Sequence, residues 1–231
     1  MKKGIFIVIE GTDGSGKATQ AELLAAHLKQ AGYKLAEFDF PQYFKSSSDF
    51  VKAYLQGRYG SLKEVSPQKA SLMYAFDRFE AAGQIKQALS QGKVVLANRY
   101  VGSNMGHQGA KLKTSEERLK YFMWDMELEY GILEIPKPDI NIILRVPAKI
   151  AQKLVDQKRG AERFYTKVKK RDIHEASLSH LKKAETTYTE MARYFPKQFT
   201  LIDCAPKGRL LPVEEILEKI WKIAQKKLKN I

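Results

Sequence analysis

Cysteine, long apolar runs and acidic residues are all scarce in this chain. Cys204 is the only cysteine, so no intramolecular disulfide can form and a reducing cytoplasm is the expected compartment. As a small, half-buried residue at a strand end it needs no further role. No apolar run approaches the roughly 20 residues that span a bilayer. The stretch behind Lys2-Lys3 is too short for the core of a signal sequence and runs directly into a Gly-rich loop. Internal repeats, low-complexity tracts and Pro/Gly/Ser linkers are missing too, so residues 1–231 read as a single domain.

Acid is in the minority: 26 Asp and Glu stand against 40 Lys and Arg, a net charge of +14. Such a field favours anionic partners without choosing among nucleotides, nucleic acid and acidic membranes. The runs at Lys182-Lys183 and from Lys219 to Lys229 read as solvated helix faces. A nucleic-acid motif with interleaved surface aromatics is not found, so neither nucleic acid nor membrane is expected as a partner.

What is present begins with Gly11-Thr12-Asp13-Gly14-Ser15-Gly16-Lys17-Ala18-Thr19, between an apolar run, Ile5–Ile9, and a stretch with helical apolar spacing from Ala21. Strand, Gly-rich loop and helix in that order form a phosphate-binding element. Glycines let the backbone turn several N–H groups inward, and the helix adds its positive end. Lys17 would lie along the phosphates of a nucleoside triphosphate. A hydroxyl normally follows the lysine and holds Mg²⁺; here Ala18 takes its place.

Strands are predicted at Ile5–Ile9, Lys34–Phe38, Lys93–Ala97, Ile140–Val146 and Phe199–Asp203. Helices are predicted at Lys17–Ala31, Ser48–Gln56, Pro67–Gln91, Ser115–Tyr130, Ala148–Gln157, His174–Tyr194 and Val213–Lys227. The alternation implies an α/β fold, a five-stranded parallel sheet with helices on both faces. Ligands bind such sheets at the carboxyl ends of the strands. Gly11–Lys17, Asp39–Tyr43 and Asn98–Asn104 all fall there.

Arg99 follows the third strand and can fork onto a phosphate; a strand-end salt bridge is the alternative. Tyr74 and Arg78, four apart on one helix, could stack on a base and bond its edge, although an aromatic at that spacing is commonly core. Arg159, Arg163 and Arg171, with Lys158, Lys167, Lys169 and Lys170, mark a basic flap at about residues 157–172. A basic lid would supply charge to a transferring phosphoryl group and exclude water; a solvated loop is the other reading.

These residues together resemble the thymidylate kinase family over nearly the whole length. The likeness rests on Glu10-Gly11-x-Asp13-Gly14-x-Gly16-Lys17, Phe40-Pro41, Tyr74 with Arg78, Asn98-Arg99-Tyr100 and Ser103-Asn104. It implies the P-loop nucleoside-monophosphate kinase fold with a basic lid, and transfer of the γ-phosphoryl of ATP to dTMP with Mg²⁺, by a homodimer. It assigns Gly11, Asp13, Gly14, Ser15, Gly16, Lys17, Ala18 and Thr19 to the ATP phosphates. Asp13, Phe40, Tyr74, Arg78, Arg99, Ser103, Asn104 and His107 go to the acceptor, and Lys17, Arg99, Arg159 and Arg163 to catalysis. Asp13 and Glu10 are the nearby carboxylates, with Asp13 placed toward the acceptor sugar or the metal's water shell. The chain departs from the family at Ala18, at Asn98 where an Asp is usual, at Gln42 where many relatives have Arg, and at His107 in place of a tyrosine near the sugar C2′. Another deoxynucleoside or deoxynucleoside monophosphate as acceptor, or a nucleotide-binding homologue with weakened catalysis, are the alternative readings.

Overall fold

Strand β1, Ile5–Gly11, is buried along its whole length, as a strand flanked on both faces and both edges must be. In the computed structural model, which describes residues 3–157 and 178–229, it is the centre of a five-stranded sheet. The strands β2 (Leu35–Asp39), β3 (Val94–Asn98), β4 (Ile140–Arg145) and β5 (Phe199–Asp203) join it in the order β2-β3-β1-β4-β5. Every pairing is parallel, with Ile9 opposite Asn98 and Gly11 opposite Leu144.

Alternation along β1 divides the core. Ile5, Ile7 and Ile9 pack with Leu24 and Leu28 of α1 (Lys17–Gln30) and with Ile216 and Ile220 of α8 (Val213–Leu228). Phe6 and Val8 face the other way, into the cluster of α3 (Pro67–Ser90), α5 (Ser115–Met126) and α7 (Leu178–Tyr194). A smaller cluster joins α2 (Asp49–Leu55) to Val65 and the start of α3. Cys204 is buried in the first cluster.

All strands predicted from the sequence are present, with ends shifted by a residue or two. One helix was not foreseen: α4, Val101–Gly109, whose pattern is broken by Gly102, Gly106 and Gly109. Each glycine answers to a close neighbour. A Cβ at Gly102 would sit 2.9 Å from a Glu10 carboxylate oxygen, one at Gly106 would lie 2.3 Å from the Tyr188 ring, and one at Gly109 would meet Phe122 at 3.0 Å. Tight packing against β1, α7 and α5 therefore outweighs the poor helix propensity of glycine. The helix predicted over Ser115–Tyr130 also ends earlier, and a π-helical turn, Glu127–Ile132, follows it. The helix α6 (Ala148–Gln157) leads toward the basic flap, which with Arg159 and Arg163 lies outside the described residues. No helix among the described residues is long and apolar enough to cross a membrane.

Candidate active site

The loop between β1 and α1 turns at Gly11, Gly14 and Gly16, all with positive φ (144°, 77° and 83°). At Gly14 a side chain is doubly excluded, since its Cβ would lie 2.1 Å from the carbonyl oxygen of Ala151 on α6. The start of α1 carries no side-chain cap, leaving its first N–H groups available to an anion. Lys17 is only 6% exposed, and its ammonium donates to the Thr12 carbonyl at 2.7 Å. Burial, with the Arg99 guanidinium beside it, brings that ammonium down to about 7. Buried hydroxyls of Thr12 and Ser15 lack partners among the described residues, and Thr19 and the exposed Ala18 follow on the first turn of α1.

Arg99 arrives at the same place from β3. Its φ of 66° is a conformation that costs a non-glycine residue about 1–3 kcal/mol and commonly marks a site. The strand-to-helix turn is held by Glu10, which is fully buried at the amino end of α4. Its carboxylate accepts from Tyr100 N (2.8 Å), Ser103 N (3.1 Å) and the Ser103 hydroxyl (2.6 Å), the placement a helix dipole favours. The Arg99 guanidinium pairs with Asp13 and donates to the Ser103 hydroxyl at 3.3 Å. It also donates to His107 Nε2 at 3.2 Å. Burial keeps the His107 imidazole well below its usual pKa, so the ring is neutral and can accept. Asp13, Lys17, Arg99, Ser103 and His107 thus converge at the carboxyl ends of β1 and β3, where a doubly wound sheet places its ligand.

A second group lies deeper. Arg78 is 2% exposed and forks onto Glu129, Nε to Oε2 at 2.6 Å and Nη2 to Oε1 at 2.5 Å. Asn104, also buried, donates to Glu129 at 3.1 Å and to the Ser71 carbonyl at 3.2 Å. Burial raises the Asp125 carboxyl, one turn before Glu129, well above its usual value, with Glu129 adding to the shift. Tyr74 is half-buried, with its ring edge-on to Tyr54 at 6.2 Å. Phe40 is a core residue, 3% exposed, packed on Tyr100 at 5.6 Å. It shapes the site by support from behind. Gln42, the residue after Phe40-Pro41, is fastened to Asp77 through its backbone N–H at 2.7 Å.

Glu129 and Asp125 were not singled out from the sequence, and Asp39 only as the start of the segment Asp39–Tyr43. The first two could have been found as carboxylates four apart at the end of the helix predicted over Ser115–Tyr130. Asp39 gains meaning only from its strand neighbour: the Asn98 amide donates to it at 2.8 Å. An aspartate at 98 would set two carboxylates side by side. With asparagine there, the strand edge keeps one carboxylate, carried by β2.

No cluster of three or more His, Cys, Asp or Glu suited to a metal occurs among the described residues. Mg²⁺ needs no such cluster, since it binds through one or two carboxylates and otherwise keeps phosphate and water oxygens. Asp39 and Asp13 both act electrostatically on Lys17 and are carboxylates of that kind.

The family model described as thymidylate kinase matches residues 9–216. The thymidylate kinase of Mycobacterium tuberculosis is 33% identical across 81% of this chain and 86% of its own length. That of Thermomicrobium roseum is 28% identical across 94% and 92%. The solved thymidylate kinase of Candida albicans superposes with a TM-score of 0.71, covering 99% of this chain and 94% of that one at 21% identity, which shows the P-loop nucleoside-monophosphate kinase fold. Phosphate loop, arginine-bearing turn and matching length all agree: the chain belongs to the thymidylate kinase family.

Proposed function

We propose that the protein transfers the γ-phosphoryl group of ATP to dTMP, giving dTDP and ADP. The observation that carries this reading is the convergence of Lys17, an uncapped helix start and the strained Arg99 at the carboxyl ends of β1 and β3. Lys17 and the loop amides hold the donor phosphates. Arg99 exchanges its Asp13 partner for the acceptor phosphate, with the neutral His107 and Ser103 keeping its fork oriented. The acceptor phosphate needs no covalent help from the protein, because an anionic oxygen held in line is already a competent nucleophile. Tyr74 covers the base, while Arg78 and Asn104, held in place by Glu129, form the wall behind it. Family resemblance adds Arg159 and Arg163 of the lid as cations for the transferring group. Asp39 and Asp13 would hold Mg²⁺ through its water shell, and the ion would neutralise phosphate charge.

A coupled ADP-release screen over nucleosides and nucleoside monophosphates, with Mg²⁺ varied, tests the reading. dTMP should be the best acceptor and turnover should require Mg²⁺. Equal turnover of dCMP or thymidine would move the activity to another acceptor. Tight nucleotide binding without ADP release would instead indicate a homologue with weakened catalysis.

We further propose a homodimer. Leu72, Phe76 and Phe79 share one face of α3 yet are 37%, 52% and 50% exposed, an apolar strip of the sort that marks an interface. Sedimentation at assay concentration should give twice the mass of one chain; a monomer there would refute it.

A further inference from the structure

Lys111 lies just beyond the carboxyl end of α4, and the phosphate chemistry does not use it. It is half-buried, and burial lowers its ammonium to about 8. No carboxylate pairs with it among the described residues. Its ammonium donates to the Tyr54 hydroxyl at 3.0 Å and to the Val65 carbonyl at 2.9 Å, and it stands 5.3 Å over the centre of the Tyr54 ring. Half-burying an ammonium against neutral partners is unfavourable by itself, so the contacts it makes should matter to the architecture.

Those contacts join three segments: the end of α4, the α2 helix through Tyr54, and the connection that enters α3 through Val65. Ser66 caps α3 directly after Val65, and the Tyr54 ring packs on Tyr74. At its other end α4 begins beside Arg99. One cation therefore ties the helix that follows Arg99 to the elements that carry Tyr74.

We propose that Lys111 is a positioning residue for the acceptor pocket, fixing Tyr74 at its working distance from Arg99 by clamping Tyr54 and the Val65 carbonyl. The proposal rests on the reading of Tyr74 and Arg99 as acceptor residues given above. Lys111 touches neither substrate in this account, so its loss should leave the transfer step and the ATP side alone.

The test is steady-state kinetics on Lys111→Met, Lys111→Arg and Tyr54→Phe, with dTMP and ATP varied separately. Lys111→Met should raise KM for dTMP about tenfold, the loss expected for hydrogen bonds from a charged donor. Its kcat and its KM for ATP should stay within about twofold of the parent values. Lys111→Arg should recover most of the defect, since a guanidinium reaches both oxygens. Tyr54→Phe keeps the ring and removes only the hydroxyl, so it should raise the same KM by a smaller factor and serves if Lys111→Met folds poorly. An unchanged KM for dTMP in Lys111→Met or, where that variant does not fold, in Tyr54→Phe overturns the proposal. So does a uniform fall in kcat with both KM values altered. A parent protein inert toward dTMP would overturn the kinase reading first, and the clamp with it.

Discussion

Replacing Lys17 with alanine is expected to lower turnover on the order of a thousandfold, the scale of removing a charged donor aimed at developing phosphoryl charge, while the melting temperature holds. The two halves of that expectation share one cause. Lys17 is buried and its ammonium lies near 7, so carrying the charge in the empty loop is unfavourable and its removal does not loosen the fold. The charge becomes useful when phosphates arrive. The sign of the pH effect follows. Above pH 7 the empty loop holds mostly a neutral amine, whereas bound triphosphate favours the ammonium. ATP binding at pH 8 should therefore take up a proton, and affinity should fall by up to about tenfold per pH unit above 7. Calorimetry in buffers of different ionisation enthalpy measures this directly. Equal proton uptake by Lys17→Ala and the parent would remove Lys17 from the account.

Arg99→Ala should lower kcat/KM for dTMP by about a hundredfold or more, as loss of a bidentate phosphate donor does, with KM for ATP little changed at neutral pH. Arg99→Lys should restore only part, because an ammonium keeps the charge but lacks the planar fork that meets Ser103 and His107 as well as phosphate. A second readout distinguishes a direct role from simple disturbance. Arg99 is the charge that most depresses Lys17 after burial itself. Without it the Lys17 ammonium should recover toward its usual value, and the alkaline loss of ATP affinity should move to higher pH. An alkaline limb that stays in place would show that the two cations are not coupled.

Much of the architecture was legible beforehand because it depends on local pattern. β-branched runs such as Ile5–Ile9 have little alternative to a buried strand, and glycines at 11, 14 and 16 before Lys17 have few uses other than a phosphate loop. The helix α4 was not legible, since Gly102, Gly106 and Gly109 read as a loop until Glu10, Tyr188 and Phe122 are seen pressed against them. Nor could spacing show that Asn98 faces Asp39 across two strands, or that Arg78 is fully engaged by Glu129 from a π-helical turn.

The amino-acid sequence by itself determined the parallel α/β class, the phosphate loop, the likeness to thymidylate kinases and the identity of most groups at the site. These follow from short-range periodicity and from residue types whose chemistry is narrow. Tertiary structure alone decided which groups meet and in what state. Burial brings Lys17 to about 7, neutral His107 accepts from Arg99, Glu10 is a helix anchor, and Lys111 reaches Tyr54 and Val65. Desolvation and hydrogen-bond geometry depend on neighbours far apart in the chain, and only packing brings those neighbours together.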